Sequence, residues 1–207
     1  MTRVKICGIT SAADAVLAAE LGATAIGLVF WPRSPRVVDV ARARDIVASV
    51  PLHVTAIGVF VDQPLDDVQR IAESVPLGAI QLHGTETPAY ARALLQPVIR
   101  ALPVTGAFDR AALDAWPAEI TVLLDAHDPI RRGGTGRTID WDVANAVARQ
   151  RPVFLSGGLN PDNIADAIRC VRPYGVDLSS GVEASPGVKD PERLRALFDA
   201  LESTRHA

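Results

Sequence analysis

Cys7 closes the segment Arg3-Val4-Lys5-Ile6-Cys7 just before Gly8, and a strand period of two places its thiol on the same face as the Lys5 amine, opposite Val4 and Ile6. A buried parallel strand is apolar on both faces, so an amine and a thiol at its carboxyl end need an explanation. Packing alone reads them as a half-buried cysteine beside a snorkelling lysine. Further polar groups recur at the ends of later apolar runs: Gln81 with His83, Asp125, Ser156, and Asp177 with Ser179 and Ser180. In Val122-Leu123-Leu124-Asp125 the same parity groups Asp125 with Leu123, so its carboxyl can face Cys7 as proton donor to proton acceptor across a cavity. A lone strand-end Asp otherwise caps the turn that follows it.

Two glycine turns carry a second message. Ser156-Gly157-Gly158-Leu159 and Ser179-Ser180-Gly181-Val182 follow the last two apolar runs, where α/β barrels hold phosphate on backbone N–H groups and a short helix N-terminus. Arg36, in the proline-stiffened loop Trp31-Pro32-Arg33-Ser34-Pro35-Arg36, offers a guanidinium that can clamp a carboxylate in bidentate fashion, with surface solvation as its alternative and as the reading of Arg33. Gly133-Gly134-Thr135-Gly136 fits a lid within the loop His127 to Ile139, with a merely flexible loop as the alternative. His83 reads equally as a proton carrier or a hydrogen-bonded structural histidine, and Cys170, on a helix, as core.

These residues need a scaffold, and the chain supplies one by alternation. Strand-like runs are expected at Arg3 to Gly8, Ala25 to Phe30, Thr55 to Asp62, Ala79 to Gly84, Val98 to Val104, Ile120 to Ala126, Pro152 to Gly158 and Gly175 to Ser180. Helices are expected between and after them, at Ser11 to Leu21, Asp39 to Val50, Leu65 to Val75, Pro88 to Leu95, Asp109 to Trp116, Trp141 to Gln150, Pro161 to Val171 and Pro191 to Glu202. Ser11 or Thr10, Asp39, Asn160-Pro161 and Asp190-Pro191 are start signals, and Gly22 is a stop. Eight βα units with right-handed crossovers close most economically into a single α/β domain over residues 1–207, a (β/α)8 TIM barrel with the polar strand ends gathered at one rim. The rival, an open doubly wound sheet, usually carries a GxGxxG turn after its first strand, and Gly8-Ile9-Thr10-Ser11 is not one.

Composition narrows the function. A formal net charge of -3 with scattered basic residues argues against general nucleic-acid binding, so an anionic ligand must find a locally positive pocket. The 2 cysteines, Cys7 and Cys170, form no CxxC or histidine cluster, which disfavours a disulfide framework or a zinc site. No apolar stretch reaches membrane length and the N-terminus lacks a leader pattern, so the expected compartment is the cytoplasm, with no membrane partner. Oligomeric state is not legible from one sequence.

Taken in order, KICG at 5–8, SPR at 34–36, QLHG at 81–84, LLDA at 123–126, GGTG at 133–136 with Asp140-Trp141, SGGL at 156–159 and DLSSGVE at 177–183 closely resemble the phosphoribosylanthranilate isomerase family of tryptophan biosynthesis. The resemblance implies a barrel enzyme that performs an Amadori rearrangement of N-(5'-phosphoribosyl)anthranilate, a small-molecule substrate, with no metal or organic cofactor. It implies Cys7 as general base, Asp125 as general acid, Arg36 on the anthranilate carboxylate, and Gly157, Gly158, Ser180 and Gly181 around the phosphate. Lys5, Gln81, His83 and Asp177 are supporting candidates, and Asp128 competes with Asp125 for the acid role. At neutral pH a free cysteine is mostly thiol and a free carboxyl mostly ionised, so the site must reverse both, with Lys5 the first candidate for lowering the thiol. The alternatives are a related aminoaldose isomerase of histidine biosynthesis, which resembles a two-aspartate design, and a phosphosugar-binding barrel without chemistry.

Overall fold

Eight short apolar runs pair in chain order, each parallel to the next, and the last returns to the first, so the sheet has no open edge. The computed structural model describes residues 2–104, 108–126 and 139–204. The barrel strands are β1 (Arg3–Cys7), β2 (Ala25–Val29), β3 (Thr55–Phe60), β4 (Ala79–Leu82), β5 (Val98–Val104), β6 (Thr121–Ala126), β7 (Val153–Leu155) and β8 (Gly175–Leu178). The helices are α1 (Ala12–Leu21), α2 (Val40–Ser49), α3 (Leu65–Ser74), α4 (Pro88–Arg92), α5 (Arg110–Asp114), α6 (Trp141–Ala148), α7 (Ile164–Val171) and α8 (Pro191–Ser203). The expected (β/α)8 barrel is therefore the observed one.

Two cores result from the strand period. Inward residues Ala25, Ile57, Ala79, Ile99, Ala101, Leu123 and Phe154 fill the barrel, while their outward neighbours join the helices in a larger cluster that includes Ile6, Ile26, Ile80, Leu124 and Leu155. The lower barrel is thus a packed apolar plug, and polar groups have room only above it.

Most strands stop one to three residues short of the expected ends, because the backbone leaves the ladder as it enters the rim loops. Gly8 (φ +72°), Asp62 (φ +54°) and Gly157 (φ +86°) mark such exits in left-handed conformations. Ser11 and Asp39 cap α1 and α2 as expected, Asp190 caps α8 with Pro191 at its first turn, and Gly22 ends α1 at φ +114°. Asn160-Pro161 does not open a helix. The Asn160 side-chain carbonyl instead accepts from the N–H groups of Asp162 and Asn163 in a turn, and α7 begins at Ile164. Cys170 also departs from expectation: α7 buries Ile164, Ala167 and Val171, and Cys170, about 90° around the helix from the centre of that stripe, is exposed rather than core.

One element has no counterpart among the expected ones. After a 3₁₀ turn at Ser180–Val182 the chain forms a small antiparallel hairpin, β9 (Glu183–Ser185) and β10 (Val188–Lys189), before α8. Its two strands are too short for any periodicity to register.

Candidate active site

Strand parity delivers the predicted side chains to the barrel mouth. A cavity of about 690 Å³ opens at the carboxyl ends of the strands, lined among others by Cys7, Gln81, His83, Asp125, Ser156 and Asp177. Arg36, Gly157, Gly158, Ser180 and Gly181 line the same cavity, so among the described residues every site candidate except Lys5 meets it directly. Arg33 also reaches the rim but is otherwise exposed, as its surface reading requires. Asp128 and the lid expected at 127–139 lie outside the described residues, apart from Ile139.

Lys5 is fully buried beneath the thiol rather than snorkelling. Its ammonium donates to Asp177 Oδ1 at 2.8 Å, and Lys5 and Asp177 are register partners on β1 and β8. Burial alone pulls the ammonium down, but the Asp177 charge and the Cys7 sulfur outweigh it and its pKa is pushed up to about 12. Lys5 is thus a fixed positive charge whose field is shared with Asp177. Burial pushes the Cys7 thiol up; Lys5 pulls it back and Asp177 pushes it up again. The expectation that Lys5 lowers the thiol holds for its own contribution but not for the sum, so the free site keeps Cys7 protonated at neutral pH.

Gly27, opposite Cys7 on β2, makes room for this arrangement: a Cβ there would lie 2.7 Å from the Cys7 sulfur and 3.0 Å from Lys5 Nζ. Any side chain at 27 would displace the thiol.

On the facing wall, Asp125 is buried at the end of β6, and His83 Nε2 lies 3.5 Å from its Oδ2. The His83 Nδ1 is 3.0 Å from the Gln81 amide nitrogen. With that amide donating to Nδ1, a neutral ring carries its proton on Nε2, toward Asp125. His83 is therefore hydrogen-bonded and also lines the cavity. Gln81 Oε1 is buried at the cavity without a hydrogen-bond partner among the described residues. A buried acceptor left unpaired costs about 1–3 kcal/mol, a penalty that a ligand hydroxyl or N–H would remove.

The two glycine turns sit side by side at the rim. Gly157 and Gly158 both have positive φ (+86° and +69°), and a Cβ on Gly157 would meet the Ala126 nitrogen at 2.5 Å. A Cβ on Gly181 would collide with the Leu159 carbonyl oxygen, so the two loops touch through glycine. The first N–H groups of the Ser180–Val182 turn have no partner within it, which leaves them for an anion. Gly181→Ala is accordingly expected to force the loops apart, weakening inorganic phosphate binding at least tenfold at a stability cost of about 1–3 kcal/mol. Isothermal titration with phosphate checks this, and unchanged affinity would remove Gly181 from the anion site.

Arg36 is where the structure adds most. Its guanidinium does clamp a carboxylate in bidentate fashion, but that of Glu183: Nε to Oε1 at 2.8 Å and Nη2 to Oε2 at 2.7 Å. Glu183, only 5% exposed, closes the DLSSGVE motif at 177–183 but has no role in what the resemblance implies, and Lys189 of the hairpin lies outside every motif. Among the described residues no group of three or more His, Cys, Asp or Glu side chains is placed to hold a metal ion.

Residues 4–200 match the family model described as N-(5'phosphoribosyl)anthranilate (PRA) isomerase. The N-(5'-phosphoribosyl)anthranilate isomerase of Citrifermentans bemidjiense is 48% identical over 198 residues, covering 96% of each chain. The crystal structure of phosphoribosyl anthranilate isomerase from Thermus thermophilus superposes with a TM-score of 0.89 at 42% identity, over 98% of this chain and 99% of that one. A phosphoribosyl anthranilate isomerase in complex with reduced 1-(o-carboxyphenylamino)-1-deoxyribulose 5-phosphate gives a TM-score of 0.86 at 38% identity, over 98% and 100%.

Proposed function

This chain belongs to the N-(5'-phosphoribosyl)anthranilate isomerase family and converts N-(5'-phosphoribosyl)anthranilate into 1-(o-carboxyphenylamino)-1-deoxyribulose 5-phosphate in tryptophan biosynthesis, and from that premise we propose that Cys7 is its general base and Asp125 its general acid. The observation that carries the reading is that Cys7, Asp125, Arg36 and both glycine turns line one cavity. A substrate with a carboxylate at one end and a phosphate at the other is held across that cavity, with its reacting carbons between thiol and carboxyl.

Asp125, protonated, donates to the furanose ring oxygen as the C1'–O bond breaks, and the anthranilate nitrogen takes up the electron demand as an iminium. Cys7, as thiolate, then removes the C2' proton to leave an enolamine. Tautomerisation moves the enol proton to C1' and gives the ketone. Cys7 ends with the proton that Asp125 lacks, and returning one proton to Asp125 resets the pair. The working form thus differs from the resting thiol by a proton shift that leaves the net charge of the pair unchanged. Lys5 favours that shift by holding a positive charge under the nascent thiolate.

The other roles follow from what remains unpaired. Two groups of Arg36, Nη1 and the outer proton of Nη2, are left for the substrate carboxylate. Gly157, Gly158, Ser180 and Gly181 surround the phosphate. Gln81 Oε1 accepts from the ribose hydroxyls or the substrate amine, His83 orients Asp125, and Asp177 holds Lys5. One barrel domain over 1–207 carries the whole site. Its setting is the cytoplasm, where both thiols stay reduced; among the described residues no helix is long and apolar enough to cross a membrane.

Turnover is read from the fluorescence of freshly generated substrate, and wild-type protein that left it unconsumed would overturn the assignment. The state of Cys7 has its own test. In a Cys170→Ser background, which removes the exposed second thiol, iodoacetamide should alkylate Cys7 with a pH midpoint above that of free cysteine, about 8.5. Anthranilate with phosphate should slow the reaction. A midpoint below the free-thiol value would mean that Lys5 outweighs burial and that the resting group is a thiolate.

A further inference from the structure

Arg36, in a rim loop, and Glu183, at the start of β9, are 147 residues apart in sequence, yet they meet as a planar, two-bond pair whose side chains are only 14% and 4% exposed. Glu183 does not serve Arg36 alone. Its Oε1 also accepts from Lys189 Nζ at 2.8 Å and from the Gly187 N–H at 3.3 Å. Lys189, with no exposed side-chain surface, extends the chain of contacts to the catalytic strand by donating to the Cys7 carbonyl oxygen at 2.6 Å and to that of Ser179 at 3.3 Å. Gly8 opens the passage, since a Cβ there would run into the Arg36 side chain.

We propose that Glu183 is a positioning residue for the reaction: it fixes the plane of the Arg36 guanidinium for the substrate carboxylate and, through Lys189, ties that clamp to the backbone that carries Cys7 and to the phosphate turn. The inference rests on Arg36 as the carboxylate ligand. Burial pulls Lys189 below its ordinary range, but its Nζ donates to three acceptors, Glu183 Oε1 and the Cys7 and Ser179 carbonyl oxygens, as an ammonium does, so two cations around one carboxylate leave a net positive charge at the rim for an anionic substrate. Burial by itself would raise the Glu183 carboxyl, but Arg36 and Lys189 hold it below the usual carboxylate range, so it stays ionised. A guanidinium on a flexible side chain must otherwise lose its rotamer freedom each time a carboxylate binds, and Glu183 has already imposed that loss before the substrate arrives.

The test separates the two ends of the substrate, using anthranilate as the carboxylate probe and inorganic phosphate as the other. Glu183→Gln keeps the shape and removes the charge. It is expected to raise KM and weaken anthranilate about tenfold or more, the worth of a charge-assisted hydrogen bond, while phosphate affinity and kcat change by less than about threefold, well under that value. Unchanged anthranilate affinity and KM would overturn the proposal, and so would a parallel loss of phosphate affinity, which marks a general collapse of the rim. Should Glu183→Gln fail to fold, Glu183→Asp keeps the charge beside Lys189 and draws the carboxylate out of bidentate reach of Arg36, and the same two affinities decide. Arg36→Ala is the control on the underlying reading: if it leaves anthranilate affinity intact, Arg36 is not the carboxylate ligand, whereas loss in Arg36→Ala with none in Glu183→Gln defeats only the role assigned to Glu183.

Discussion

Cys7→Ala and Asp125→Asn are each expected to lower kcat/KM by about 10²- to 10⁴-fold, the usual worth of one general base or acid, with a melting temperature near that of wild type. Neither side chain belongs to a buried ion pair of two permanent charges, and asparagine keeps the volume of Asp125 beside His83. The loss should fall on kcat, because the substrate is held at its ends by Arg36 and the glycine turns rather than at its reacting carbons. Combining the two substitutions should cost less than the product of the single losses, since base and acid exchange one proton as a unit. Steady-state kinetics with freshly generated substrate reads all three variants. Full activity in either single variant removes that residue from the chemistry, and an intact Asp125→Asn enzyme would leave the proton to another donor.

Asp177→Ala is expected to be the most destabilising single change at the site. It leaves Lys5 as an unpaired ammonium with 0% exposure, and breaking a buried pair in this way typically costs about 3–5 kcal/mol, a fall in melting temperature on the order of 10 °C for a domain of this size. Lys5→Met combined with Asp177→Leu removes both charges and should recover most of the loss. A single variant that melts like wild type would show that the pair contributes nothing. The pair also has a pH signature. Lys5 has a higher pKa folded, about 12, than its ordinary 10.5, so its contribution is fully present below pH 10.5 and is lost as the pH climbs through about 12. In the double variant this alkaline loss should shrink.

The barrel was legible because each of its signals is local. Alternation over five residues placed Lys5 with Cys7, and alternation over four placed Asp125 with Leu123, both as observed. Positions at element ends were less legible. Asn160 satisfies its hydrogen bonds in a turn instead of starting α7, and Cys170 lies just off the buried stripe, where helical spacing alone does not separate core from surface. The hairpin at Glu183–Lys189 was invisible for a different reason: its strands of three and two residues carry no period, and no local spacing joins its two charged side chains to Arg36 or to Cys7.

By itself, then, the sequence determined the eight-unit barrel, the rim at which chemistry occurs, and the thiol, carboxyl, guanidinium and glycine turns that meet there, since strand parity and chain order depend on near neighbours alone. Only the tertiary structure decided how those groups are charged and held. Lys5 answers to Asp177 across 172 residues, Arg36 to Glu183 across 147, and the Cys7 carbonyl to Lys189 across 182. Desolvation and Coulomb interaction depend on distance in space and on exclusion of water. Neither is encoded in spacing along the chain, so the raised thiol and the pre-oriented clamp emerge only when the barrel closes β8 onto β1.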